Sequence, residues 1–186
     1  GPEWAFWREW YHGFLNGKPL NWELQKRVAL IENAIWEAGP EAVAEEIERI
    51  RAAFDVETQA ADLEENVSTA IASIRGIGDN NPPAPIEDAS ESTAGVTIIW
   101  AAARDIREEA QSEVPNKARI GKAVGALVGA LKACGVWGAK KVDIGLNAAV
   151  AAVGAASGTA GVAWVTQNGD KIAELIEAVE RWIKLF

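Results

Sequence analysis

The sequence predicts an all-α protein, a helical bundle of about six to seven helices. Three observations carry that expectation. Apolar residues recur at helical spacing along most of the chain. No stretch alternates apolar and polar residues as a half-buried strand would. The breaks between periodic stretches hold helix-ending and helix-starting residues, notably Asn-Gly, Gly-Pro and Asn.

Trp4, Trp7, Trp10, Tyr11, Phe14 and Leu15 define a first helix, with Pro2 suited to its first turn. Asn16-Gly17-Lys18-Pro19 ends it, and Asn21 caps the next. Leu24, Val28, Ile31 and Ile35 predict one helix running to Gly39-Pro40, a helix end followed by a helix start. The stripe Val43, Ile47, Ile50 and Phe54 then falls out of phase with a second stripe, Leu63, Val67, Ile71 and Ile74. One long helix or two helices meeting at Asp55 satisfy this pattern, and the continuous helix is preferred. Residues 76–95 lose all periodicity and hold Gly76, Gly78, Pro82, Pro83 and Pro85, which reads as a linker. The expected organisation is an acidic Trp-rich helical region over 1–75, the linker over 76–95, and a Gly/Ala-rich helical region over 96–186.

In that last region Val96, Ile99, Ala103, Ile106 and Ala110 predict a helix capped by Thr93 and stopped by Pro115. Asn116 caps a following helix over 117–134, which as a cationic amphipathic stretch extends to 141. An uncharged Ala/Gly/Val-rich helix is expected over 142–165, and Asn168-Gly169 reads as a turn. Ile172, Leu175, Ile176, Val179, Trp182 and Ile183 predict the last helix.

The chain carries 27 acidic against 18 basic residues, net −9, which disfavours nucleic-acid binding. Yet no acid lies between Glu113 and Asp143, a stretch holding Lys117, Arg119, Lys122, Lys132, Lys140 and Lys141. These six are candidate contacts to an anionic lipid surface. Cys134 is the one cysteine, so an internal disulfide framework is excluded. With no secretory signal in the sequence, a cytoplasmic location is expected, with membrane-peripheral as the alternative. The chain holds no methionine, and Gly1-Pro2 resembles a tag-cleavage scar, so a piece of a longer protein is expected.

Catalytic constellations are sparse. Glu9 and His12 form a Glu-x-x-His pair, but a di-metal carboxylate site uses two such pairs and the chain has one histidine. Cys134, on an apolar stretch, reads as an inert small hydrophobe. Gly76-Ile77-Gly78 lacks the strand and third glycine of a dinucleotide fingerprint. Clusters such as Glu45, Glu46 and Glu48 suit a solvated helix face. The expectation is a non-enzyme with no cofactor and no metal. An enzyme using carboxylates alone is the minor alternative.

Two features remain. Tryptophan occurs nine times, three of them between Trp4 and Trp10. Core packing is the first expectation for this stripe. A partner interface through Trp4, Trp7, Trp10 and Tyr11 is the alternative, because tryptophan is enriched at binding hot spots. Gly121, Gly125 and Gly129 repeat every four residues, as do Gly154 and Gly158. Each such row lies on one helix face and costs about 1 kcal/mol of helix propensity per glycine. The offsetting gain is close approach of another helix, in this chain or a partner.

The opening Phe6-Trp7-Arg8-Glu9-Trp10-Tyr11-His12-Gly13-Phe14-Leu15-Asn16-Gly17-Lys18-Pro19-Leu20-Asn21-Trp22-Glu23-Leu24, continued by Ala38-Gly39-Pro40-Glu41-Ala42-Val43, resembles a Trp-rich stretch of uncharacterised bacterial proteins. The resemblance covers about the first quarter of the chain and implies no activity and no site residue. The functional expectation is therefore a non-enzymatic helical interaction or assembly module, acting on a protein partner or on itself. The alternative is a membrane-associating or membrane-disrupting region acting through helices 117–141 and 142–165.

Overall fold

The computed structural model describes residues 1–74, 86–136 and 159–186, and of residues 74, 86–94 and 159–160 it describes the backbone. The described residues form seven α-helices and no strand. A 3₁₀ turn, Pro2–Trp4, leads into α1 (Ala5–Leu15), followed by α2 (Trp22–Ala29), α3 (Asn33–Ala38), α4 (Pro40–Ile74), α5 (Ile86–Ala110), α6 (Lys117–Ala133) and α7 (Thr159–Ile183). The all-α expectation holds.

The chain divides into two compact units, Gly1–Asp55 with Leu185–Phe186, and Val56–Lys184. The division falls inside α4, in the stretch where the two apolar stripes lose phase, and not at 76–95. The helix is continuous because nothing in residues 55–60 breaks it, and each half carries the stripe that its own unit buries. Val43 and Ile47 join the first core, whereas Val56, Ala60, Leu63 and Val67 are buried in the second. The linker expectation is corrected in part. Residues 86–95 are helical within α5, so Thr93 lies inside the helix and does not cap it. Residues 76–85 lie outside the described residues.

In the first unit, α1 ends where the sequence expects. The Lys18 N–H donates to Gly13 O (2.8 Å) and the Gly17 N–H to Phe14 O (3.2 Å). Gly17 takes φ +67°, the left-handed conformation that this helix-ending motif requires. Asn21 then caps α2 by accepting the Glu23 N–H at 2.8 Å. The single helix expected from Leu24 to Ile35 is two. Glu32 is extended (φ −59°, ψ 142°), which separates α2 from α3. The carbonyl of Ile31 instead accepts the indole N–H of Trp36 at 3.1 Å. That side-chain bond satisfies an acceptor the broken ladder would leave open. The break keeps Ile31 in a core with Phe6, Leu24, Val28, Val43 and Ile47.

In the second unit, α5 packs on α6 and α7, and α6 packs on α7. Asn116 caps α6 through the N–H groups of Ala118 (3.0 Å) and Arg119 (3.1 Å). Ten of the seventeen residues of α6 are buried, Gly121, Gly125 and Gly129 among them. Burial on that scale makes α6 a core helix rather than one lying half in solvent. The helix also stops well short of 141. Gly135 takes φ +68°, and the N–H groups of Gly135 and Val136 close back on Lys132 O (3.0 Å) and Leu131 O (3.1 Å). Residues 137–158 lie outside the described residues, and with them Lys140, Lys141, Gly154, Gly158 and most of the helix expected over 142–165.

Asn168-Gly169 is not a turn, for both residues sit inside α7. Asn168 Nδ2 donates to Trp164 O one turn earlier (3.0 Å). A Cβ on Gly169 would lie 2.7 Å from Cγ1 of Val136 and 3.7 Å from Cδ2 of Leu131. The glycine is there because the end of α6 leans on α7 at this point. Among the described residues, no helix is long and apolar enough to cross a membrane.

Candidate functional site

The first unit leaves an aromatic surface open. Of α1 only Phe6 is buried. Trp4 is 53% exposed, Trp10 39%, Tyr11 53% and Phe14 68%, which corrects the expectation that this stripe is core. The reason is that the buried side of α1 faces α4, where the Arg51 guanidinium lies 5.9 Å over the Phe6 ring and pairs with Glu9 at 2.9 Å. That leaves Glu9 committed to an ion pair beside the aromatic stripe.

The tight reversal after α1 sets α2 beside it. Gln25 joins the two helices, because its Oε1 accepts the Trp10 indole N–H (2.9 Å) while its Nε2 donates to Leu20 O (2.6 Å). Between them opens a pocket of about 400 Å³. Buried Phe6 and Val28 contribute to its base, Trp7 and Trp10 to its lining, and Trp22 (71% exposed) and Leu30 (72%) to its rim. Phe14 stacks beside Trp10 with ring centroids 6.4 Å apart, and Trp36, 41% exposed, lies 6.2 Å from Trp7. The apolar surface therefore continues beyond the pocket at both ends. Lys26 is the one charged residue in the lining.

Trp7 and Trp10 were legible as interface candidates, as were Tyr11, exposed on the same helix, and Trp4, exposed in the turn before it. Trp22, Gln25 and Leu30 were not. A signal existed, since Trp22 and Leu30 stand eight residues apart, off the buried stripe of Leu24, Val28 and Ile31. Large apolar residues on the face opposite a core stripe mark a second apolar contact.

The other candidates resolve differently. Arg119, expected to face lipid, is held by Asp105 (2.7 Å), Glu108 (2.5 Å) and Glu109 (3.0 Å), which keep its guanidinium well above its ordinary pKa. Glu109, 6% exposed, also accepts the Asn116 N–H at 2.6 Å, so this cluster fastens the α5–α6 turn. Lys117, Lys122 and Lys132 are exposed on α6. Gly121, Gly125 and Gly129 are buried in their own unit. Cys134 follows α6, half-buried, and burial raises its thiol above the ordinary value.

A second pocket, of about 300 Å³, lies between α4 and α7 in the second unit. Asp62, Glu65, Asn66, Lys171 and Glu174 line it. Asn66 and Thr69 spend hydrogen bonds on carbonyls of their own helix, those of Asp62 and Glu65. The described residues hold no cluster suited to a metal ion.

Among the described residues, fold and surface thus define an all-helical protein with an aromatic pocket open to solvent. Neither a protein-family model, nor a curated protein, nor a solved structure matches the chain.

Proposed function

We propose that the chain is a helical interaction module, not an enzyme, and that the aromatic surface of α1 and α2 docks a partner protein. One observation carries the reading: large apolar side chains ring a pocket at solvent, with Trp22 and Leu30 more than two-thirds exposed. Ordering such residues in water gains nothing by itself, because their apolar area stays wet. Covering them on association recovers roughly 25 cal/mol per Å² of that area, before the costs of binding. Trp is also the residue type most enriched where binding energy concentrates.

The buried glycines of α6 serve a different end in this reading. They let the helices of the second unit pack closely and so support folding rather than assembly.

Selection of random 12-residue peptides on the immobilised protein tests the proposal. Enriched peptides carry a bulky apolar anchor and bind Trp22→Ala at least about tenfold more weakly, the loss typical of a hot spot. Trp22→Ala keeps the parent melting temperature, because the side chain is largely in solvent. No enrichment over a blank surface, or undiminished binding to Trp22→Ala, overturns the reading.

A further inference from the structure

We propose that the partner of the α1–α2 face is a second copy of this chain, the two copies pairing face to face about a two-fold axis. The inference rests on the docking reading and names the partner in it.

Area is the first argument. Trp4, Trp10, Tyr11, Phe14, Trp22 and Trp36 keep on average about half of their surface in water. At about 200 Å² for a whole aromatic side chain, that is roughly 650 Å². Leu15 and Leu30, each more than half exposed, add to it. The largest apolar patch on an ordinary monomer is about 300–600 Å², and each side of a stable interface covers about 800 Å². This face exceeds the first and approaches the second. It is also continuous. Helical spacing sets Trp7, Trp10, Tyr11, Phe14 and Leu15 on one arc of α1. Phe14 stacks beside Trp10, and Trp10, Trp22 and Leu30 share the pocket.

Shape is the second argument. A two-fold interface presents the same patch from both sides, so projection and recess must lie on one face. Both are here, for the exposed Phe14 stands beside an open pocket of about 400 Å³. Each copy can fill the other's recess while its own is filled.

Charge does not drive this pairing, and at contact range it does not oppose it. Glu9 is paired with Arg51 (2.9 Å) and Glu23 with Lys26 (3.9 Å), while Arg27 lies 5.2 Å over the Phe54 ring. Residues 1–55 still hold ten carboxylates against six cations, so two copies repel at longer range. Salt screens that repulsion and leaves the apolar contact intact. A dimer through this face therefore holds or tightens as salt rises.

Sedimentation velocity on the full chain tests the inference, from about 0.1 µM to about 100 µM, a span that reaches the weaker interfaces of this size. Dimer mass at the upper end is expected, undiminished by added salt. Trp22→Ala and Phe14→Ser are each expected to weaken the dimer about a hundredfold, because a tenfold hot-spot loss enters a two-fold interface twice. Both side chains are largely in solvent, so both variants keep the parent melting temperature. A dimer indifferent to both changes pairs through another face and overturns the inference, and a dimer that salt dissociates is held by charge and does the same. A monomer throughout also overturns it. If that monomer still selects apolar-anchored peptides, the docking reading stands with a different protein on the face, and if it selects none, both readings fall. Co-sedimentation of the monomer with vesicles of phosphatidylcholine and phosphatidylglycerol, abolished in Trp22→Ala, assigns the face to lipid and overturns the second copy.

Discussion

Gly13 shows how much one missing side chain can specify. It sits near the end of α1, where alanine would normally gain about 1 kcal/mol of helix propensity. Here a Cβ would lie 2.6 Å from the backbone oxygen of Lys18, which cannot move without opening the reversal. Gly13→Ala is therefore expected to destabilise by about 2 kcal/mol, in the range of overpacking, as read by urea midpoint. The same change should also weaken peptide binding, since the reversal sets α2 beside α1. Gly169 meets a side chain instead, Val136 Cγ1 at 2.7 Å. Gly169→Ala is expected to lower the melting temperature, and adding Val136→Ala to restore it. If the second change brings no recovery, the close approach of α6 to α7 is misassigned. Neither glycine differs from its neighbours in the sequence, because the atoms that exclude a Cβ come from elsewhere in the chain.

Helix ends were mostly legible, because capping is local chemistry. Asn21, Gly39-Pro40 and Asn116 all stand at the boundaries that their side chains or ring geometry suggest. Asn116→Ala should cost about 1 kcal/mol in a denaturant titration, the usual loss of a cap. Helix interiors misled where tertiary contacts override propensity. Asn168-Gly169 reads as a turn but is held in α7 by packing on Val136 and Leu131. The break between α2 and α3 has no glycine or proline to announce it. It exists because Trp36 can reach the Ile31 carbonyl while Ile31 stays buried. Trp36→Phe keeps the ring and removes the donor, so a loss of about 1 kcal/mol is expected in the same titration.

Across the molecule, burial and charge are not aligned. Glu64 in α4 pairs with Arg107 in α5 at 2.7 and 3.1 Å, an attraction that would lower its pKa. Burial acts in the opposite direction and is the larger influence, so the carboxyl is held above the ordinary 4.5. A raised carboxyl means the folded state binds its proton more tightly than the unfolded chain. Its contribution to stability is present below the ordinary value and is lost as pH rises through the folded one. Glu64→Gln should therefore gain on the parent between pH 4 and pH 7, measured as urea midpoints at both. A gap that does not change with pH would mean that the ion pair, not burial, dominates.

The amino-acid order alone settles that this chain is helical and where most of its helices begin and end. Those properties depend on neighbours within a turn or two. It could not settle which face of α1 is wet. Periodicity marks Trp4, Trp7, Trp10, Tyr11 and Phe14 as one stripe, but an apolar stripe looks the same whether this chain or another molecule covers it. Only the packed structure decides that, by turning Phe6 toward Arg51 and leaving the tryptophans around an open pocket. The α6 glycines, by contrast, are buried.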